Sequence, residues 1–383
     1  MQVRDAYRGD TFTLRAMLLW TINDFPAYGN LSGWPVKGYK GCPICGENTF
    51  SIHLKNRMQI AYLGHRRFLH RHHPYRSQKK PFNSETEHRT PPRPLSGEQV
   101  FQRIKDLKVT FGKGKANDEY TTIHGPSLWK KQSIFFELPY WRTLLVRHNL
   151  DVMHIEKNIC DVIIRTLLNI PGKTKDGLKA RLDVVDLNIR EELRPQEKNG
   201  RTFLPPARYT LSRKEKRAFC QCLANVKVPD GYSSNIRNLV SMNDLKLVGM
   251  KSHDCHVLIQ QLLPVALRAV LPKEKEVKYA IVKLCFFFSS ICSKVLDPTK
   301  LDELQDGLVK TLCILEKCFP PSFFTIMVHL TVHLIREVKL CGPVYLRWMY
   351  PFERYMKILK GYVKNRNHPE GCIVESYIAE EAV

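Results

Sequence analysis

Residues 11–45, TFTLRAMLLWTINDFPAYGNLSGWPVKGYKGCPIC, decide how the rest of the chain is read. Leu14, Met17, Leu18, Leu19, Trp20 and Ile22 make a run too uniformly apolar for a surface element, and this predicts a buried strand. The strand ends at Asp24, after which Pro26, Gly29 and Gly33 break regular structure. In open sheets the loop leaving the carboxyl end of a strand is where chemistry gathers. Cys42-Pro-Ile-Cys45-Gly follows. Its tight turn brings two thiolates toward one ion, half of a tetrahedral zinc site that needs two further ligands.

Two histidine pairs are candidates to complete it. His65 and His73 stand close by in sequence and would make a self-contained module. His329 and His333, in MVHLTVHLIREV, lie at i and i+4 on one helix face, a spacing that lets both rings reach one ion. Histidines on such a helix are also commonly hydrogen-bonded structural residues.

The 383 residues carry 60 Lys and Arg against 37 acidic residues, a formal charge of +23. That imbalance is the electrostatic footprint of a polyanion partner, with nucleic acid the leading candidate. Twelve cysteines sit in a chain without an apolar leader at its start, several of them in helix-like apolar segments, which reads as a reducing compartment. The most hydrophobic stretch, Val277 to Leu296, contains Lys278, Lys283 and Lys294, so it is expected as a core helix and not a membrane span.

Four regions follow along the chain. Residues 1–80 hold the opening strand, a knuckle-bearing hairpin near 46–63 and the basic segment Gly64 to Lys80. There Arg66, Arg67, Arg71 and Arg76 alternate with Phe68 and Tyr75, as a phosphate-tracking surface would require, although a solvated basic loop has the same composition. Residues 81–125 are linker-like, rich in Pro, Ser and Thr. Residues 126–235 are helical, and DVMHIEKNICDVIIRTLLNI shows the stripe Val152, Ile155, Ile159, Ile163 and Leu167 behind a cap at Asn149 or Asp151. Residues 236–383 form a second helical block in which Glu353, Lys357, Lys360 and Lys364 share a helix face, either a salt-bridged surface stripe or an acid set among cations.

The segments FTLRAMLLWTINDFPAYGNLSGW, GYKGCPICGENT, HRRFL with HPYR, LPYWRTLLVRHNLDVMHIEKNICD, GMKSHDCHVL and GPVYLRWMYPFERYMK with VKNR resemble the transposases of plant CACTA, or En/Spm-type, elements. From about residue 240 the resemblance is to the helical domain of unknown function that accompanies them. It implies a nuclear protein acting on transposon ends, of the DDE/D group, whose acids hold Mg2+ or Mn2+ for DNA strand cleavage and transfer. The implied fold is mainly α with a small α/β part: an incomplete ribonuclease-H-like core interrupted by a long all-helical insertion, plus a zinc-knuckle hairpin. A more distant likeness to the RAG recombinase core, where the second acid precedes a C-x2-C and a histidine pair precedes the catalytic glutamate, points to Asp24 and Glu353 as metal-binding acids. The same likeness assigns Cys42, Cys45, His329 and His333 to zinc, and gives Lys357, Lys360 and Lys364 a DNA backbone to face. Glu156 with Asp151 is the alternative acid pair. The family's first acid lies upstream of the strand holding Asp24, and neither Asp5 nor Asp10 matches it, so the resemblance implies a truncated core that is inactive alone. A co-opted, non-catalytic DNA or chromatin-binding protein is the competing expectation, and a homo-oligomer is compatible with either.

Overall fold

The computed structural model describes residues 2–107, 128–232, 234–272 and 274–382, and helices dominate it. Strands among the described residues pair only two by two, and a single pair is parallel. That pair is β1 (Thr21–Asn23) beside β2 (His148–Leu150), with Asn23 opposite Leu150. Asp24 and Asp151, one residue further on each, therefore leave the pair at the same end. Across the strands, Thr21 Oγ1 meets His148 Nδ1 at 2.7 Å.

Each aspartate then starts a helix. Asp24 Oδ1 accepts from the Ala27 N–H at 2.8 Å, and Pro26 occupies the first turn of α1 (Phe25–Ser32). α1 stops at Gly33, whose φ of 79° and proximity to the Lys131 carbonyl, 2.2 Å from where a Cβ would stand, leave room for glycine alone. Asp151 Oδ1 accepts from the His154 N–H at 3.2 Å to open α2 (Val152–Leu167). The expected stripe from Val152 to Leu167 is buried along its whole length.

α2 packs on α3 (Ser252–Val257), while α4 (Lys275–Ile291) and α5 (Leu301–Cys318) form the central helix pair of the core. Ile281, Leu284 and Phe288 of α4 and Leu308, Leu312 and Leu315 of α5 are inaccessible to solvent or nearly so. α4 is the core helix expected from the stretch beginning at Val277, and no helix among the described residues is long and apolar enough to cross a membrane. A broken helix follows: α6 (Ile326–Leu330), a tight turn at Thr331–His333, then α7 (Leu334–Cys341). The chain ends in α8 (Tyr350–Tyr362) and α9 (Pro369–Glu381), which pack on each other and bury no residue on the core.

Three expectations change. The run from Leu14 to Leu19 is not a buried strand: Leu14, Met17, Leu18 and Leu19 are all exposed, and only Thr21–Asn23 is extended and paired. An apolar run is buried only when a layer packs on it, and a two-stranded sheet offers none here. Of the expected incomplete ribonuclease-H-like core, the described residues contain one parallel strand pair and no larger sheet. Within the linker-like segment, Phe82 and Glu87 are buried while most of residues 83–96 are exposed or half-buried without helix or strand, and Gly97–Ile104 is a helix opened by a Ser96–Gln99 capping box. Residues 108–125 of that segment lie outside the described residues.

Candidate metal centre and carboxylate cleft

The knuckle is built by short-range bonds. The Cys45 N–H donates to Cys42 Sγ at 3.3 Å, the Gly46 N–H to the Cys42 carbonyl at 2.9 Å, and Thr49 Oγ1 to the Gly46 carbonyl at 2.7 Å. The hairpin behind it, Ile52–Leu54 with Gln59–Ala61, is tied to the helical block by the Tyr62 N–H, which donates to the Phe324 carbonyl at 2.8 Å. Phe324 leads into α6, and so the knuckle and the histidine pair meet.

Cys42, Cys45, His329 and His333 are all buried, with one donor atom from each lying within 4.8 Å of the others. Cys42 Sγ is 3.3 Å from His333 Nε2, and Cys45 Sγ is 3.4 Å from His329 Nε2 and 3.2 Å from His333 Nε2. Zinc bonds of about 2.3 Å to sulfur and 2.0–2.1 Å to nitrogen place S and N roughly 3.5 Å apart in a tetrahedron. The donor set fits zinc in both chemistry and spacing. Burial opposes ionisation of Cys42, but the contact with Cys45 and the charges of His333 and His329 outweigh it and hold that thiol well below its ordinary range, while Cys45, sharing the proton, is pushed up. Two thiols competing for one ionisation is the electrostatic problem that a dication resolves. Tyr62 stacks on the His329 ring at 6.1 Å and Phe68 meets His333 edge-on at 6.0 Å, fixing both imidazoles.

The alternative pair does not join this cluster. His65 Nδ1 is bound to Glu316 Oε1 at 2.5 Å, and His73 Nδ1 accepts from the Tyr75 N–H at 3.1 Å. Arg66, Arg67 and Arg76 are likewise not a phosphate surface. All three are buried. Arg66 donates to the Gln78 carbonyl and to Asn83 Oδ1, both at 2.6 Å; Arg67 donates to the carbonyls of Asn48 at 2.8 Å and Thr90 at 2.9 Å; Arg76 donates to the carbonyls of Arg66 at 2.8 Å and Arg89 at 2.6 Å. A segment without ladders must satisfy its carbonyls somehow, and the guanidinium fork does it. Arg71 alone of the four is exposed.

The histidine helix also holds the acids. Glu337, one turn after His333, is buried; it accepts from the Leu150 N–H at 3.1 Å and from Arg347 Nη1 at 3.3 Å. Arg347 Nη1 also donates to Asn149 Oδ1 at 3.1 Å. The last residues of β2 are thus anchored directly before Asp151, by groups that sequence reading did not single out. Asp151 is buried, and its carboxyl is raised to about 6: burial is the largest cause, backbone hydrogen bonds oppose it, and the charges of Glu353 and Asp24 add to it. Those two acids, both exposed, therefore share a field with Asp151. Glu156 is buried and bound to His256 Nδ1 at 2.7 Å and Gln260 Nε2 at 2.9 Å, and His256 lines the same cleft as Glu353. Asp24 and Glu353 thus act on Asp151, while Glu156 is buried behind His256 in the wall of the cleft that Glu353 lines.

Glu353 and Lys357 line a cleft of about 910 Å³ together with Lys157, Lys251, Arg354 and the ring of Trp348. Lys360 is exposed on the same helix, whereas Lys364 lies beyond the end of α8, so the expected stripe is one residue shorter. Lys157, Lys251 and Arg354 come from three separate segments, and no local pattern joins them.

Residues 1–107 match the family described as Transposase family tnp2, and residues 291–383 match a domain of unknown function, DUF4218. Both matches support a plant transposase-type protein. No curated protein and no solved structure matches the chain.

Proposed function

We propose that this chain is a transposase-derived DNA-binding protein of the CACTA, En/Spm type, working in the nucleus, whose cleft beside Glu353 grips the backbone of transposon-end DNA. The observation that carries the reading is the cleft lined by Glu353 with Lys157, Lys251, Arg354 and Lys357, beside the parallel strand pair that leads into Asp24 and Asp151. The charge of Glu353 reaches Asp151. Parallel strands ending in acids, with a third acid on a later helix, is the arrangement expected of a ribonuclease-H-like core. The cations supply the sequence-independent part of the affinity by displacing counterions from phosphates.

The acids do not fit a two-ion magnesium or manganese set. Asp24 and Asp151 each commit Oδ1 to a helix start. Among the described residues these three carboxylates form no group whose oxygens all approach within 4.8 Å, whereas two bracketing ions require a shared ligand. The proposed activity of the chain alone is DNA binding without strand cleavage. The same observation favours the second reading, a co-opted non-catalytic chromatin protein that differs in lacking preference for transposon ends.

The test is binding of terminal-repeat and scrambled duplexes across a salt series, with nicking assayed in magnesium and in manganese. Steep salt dependence, a preference for the terminal repeat and no nicking are expected. A flat salt response sinks the DNA-binding reading. Equal affinity for both duplexes leaves the chromatin reading, and metal-dependent nicking abolished by Asp24→Asn overturns the account of the acids.

A further inference from the structure

At the other end of β2 from the acids, on the order of 10 Å away for a strand of this length, lies a second cavity of about 110 Å³, bordered by Arg93, Arg103, Arg147 and Arg336 beside the knuckle. Elsewhere in this fold buried arginines are paired with a carboxylate or bound to several acceptors, even where a nitrogen such as Arg66 Nε or Arg347 Nε is left over. Arg181 Nη2 reaches Asp176 Oδ2 at 2.7 Å, Arg347 reaches Glu337, and Arg66 donates to the Gln78 carbonyl and to Asn83 Oδ1. Arg147 and Arg336 differ. Both are half-buried, and their hydrogen bonds are one apiece, from Arg147 Nη1 to the Leu144 carbonyl at 3.2 Å and from Arg336 Nη2 to the Leu145 carbonyl at 3.3 Å.

No carboxylate among the described residues forms an ion pair with them, although Glu337 lies within the electrostatic reach of Arg336. Glu47 is paired with Arg103 at 2.8 Å, and Glu337, which also borders the cavity, already accepts from Leu150 and Arg347. The two guanidinium groups also repel each other; burial first, then the neighbouring Arg336, lowers Arg147. Two cations held together, partly desolvated, with most of their donors unspent, make a site for an anion. The cavity has room for a tetrahedral oxyanion.

We propose that this pocket binds one phosphate group, held bidentately by Arg147 and Arg336 with Arg93 and Arg103 at its mouth. The phosphate has two possible sources with the same chemistry, a phosphodiester of DNA or a free phosphate or polyphosphate. Only the first rests on the DNA-binding reading given above.

The test titrates the full chain, zinc-loaded, with inorganic phosphate and with pyrophosphate by calorimetry, using chloride at equal ionic strength as the control. Saturable one-site binding is expected, weakened at least tenfold by Arg147→Gln and by Arg336→Gln, partly retained in the lysine variants and unchanged in Arg71→Gln. No saturable binding by the unaltered chain, or binding undiminished in the Arg147→Gln, Arg336→Gln double variant with zinc content intact, overturns the proposal. Competition by pyrophosphate against a short duplex assigns the pocket to the DNA backbone. Undisturbed duplex binding assigns it to a free phosphate, and failure of the duplex to bind at all removes the DNA reading while the phosphate site stands.

Discussion

The knuckle and the carboxylate cleft lie on either side of one buried ion pair, yet they are finished to different degrees. At the knuckle every donor is buried and within coordinating reach of the rest, and each imidazole is packed by a ring. Of the three acids Glu353 alone lines the cleft, Glu353 and Asp24 are exposed, and the helix carrying Glu353 has no fully buried residue. The first is a site whose geometry the fold determines; the second is one whose acids share a field without sharing a ligand position. Glu337 with Arg347 is the joint between them: Glu337 lies one turn after His333, and the pair anchors Leu150 and Asn149, directly before Asp151.

The largest effect is expected from breaking the closed side. Structural zinc contributes about 10–16 kcal/mol of apparent binding free energy in small domains, so Cys42→Ser with Cys45→Ser should abolish zinc binding and cooperative unfolding of the helical block. Elemental analysis and calorimetric melting check it. His329→Ala should lose the metal, while His65→Ala, which breaks the Glu316 contact, should keep it. Zinc retained by the double serine variant would show that the cluster is not the site. Next in size is Glu337→Ala, which leaves the buried Arg347 without its carboxylate and should cost roughly 3–5 kcal/mol. Chemical denaturation measures the loss; if removing both partners costs as much as removing one, the joint is not a pair.

The contrast also separates what could be read in the sequence from what could not. Cys-x2-Cys and two histidines four apart are local patterns that suit a metal, so both halves of the knuckle were visible, although such histidines are as often structural, a second pair competed, and nothing in the chain joined the halves except the resemblance. Asp24 beside Asp151 was invisible, because the register of β1 on β2 connects residues 127 apart. The basic segment misled, since arginine composition does not say whether the acceptors will be phosphates or the chain's own carbonyls. Leu14 to Leu19 misled in a similar way: hydrophobicity states what a segment would bury and not whether a layer is there to receive it.

A smaller effect would sharpen the open side. Asp151 titrates near 6 in the folded chain against an ordinary 3.8, chiefly through burial, with Glu353 and Asp24 adding to it. A carboxyl raised on folding contributes stability that is fully present below its unfolded value and is lost as pH rises through its folded value. Between about pH 4 and pH 7 the chain should therefore lose up to roughly 3 kcal/mol through this group. Asp151→Asn removes the titration and keeps the helix start, because Asn caps about as well as Asp. The variant should be more stable than the parent at neutral pH, with the difference closing under acid conditions. A variant less stable than the parent at both ends would mean that the carboxylate is held by a cation and not merely crowded.

The smallest expected effect tests whether the cleft holds DNA at all. Lys357 is exposed on a helix with no fully buried residue, so Lys357→Gln should leave melting unchanged to within about 0.5 kcal/mol. Its consequence should appear only in binding. If Lys357 faces a phosphate, its loss weakens all duplexes alike and reduces the slope of log affinity against log salt by about one. Arg71→Gln is the informative partner, because Arg71 is the exposed member of the segment whose other arginines are spent inside the fold. An unchanged slope in Lys357→Gln and a reduced one in Arg71→Gln would move the DNA from the cleft to the knuckle side. The acids would then have no backbone before them, and the incomplete side of the molecule would be idle in binding as well as in chemistry.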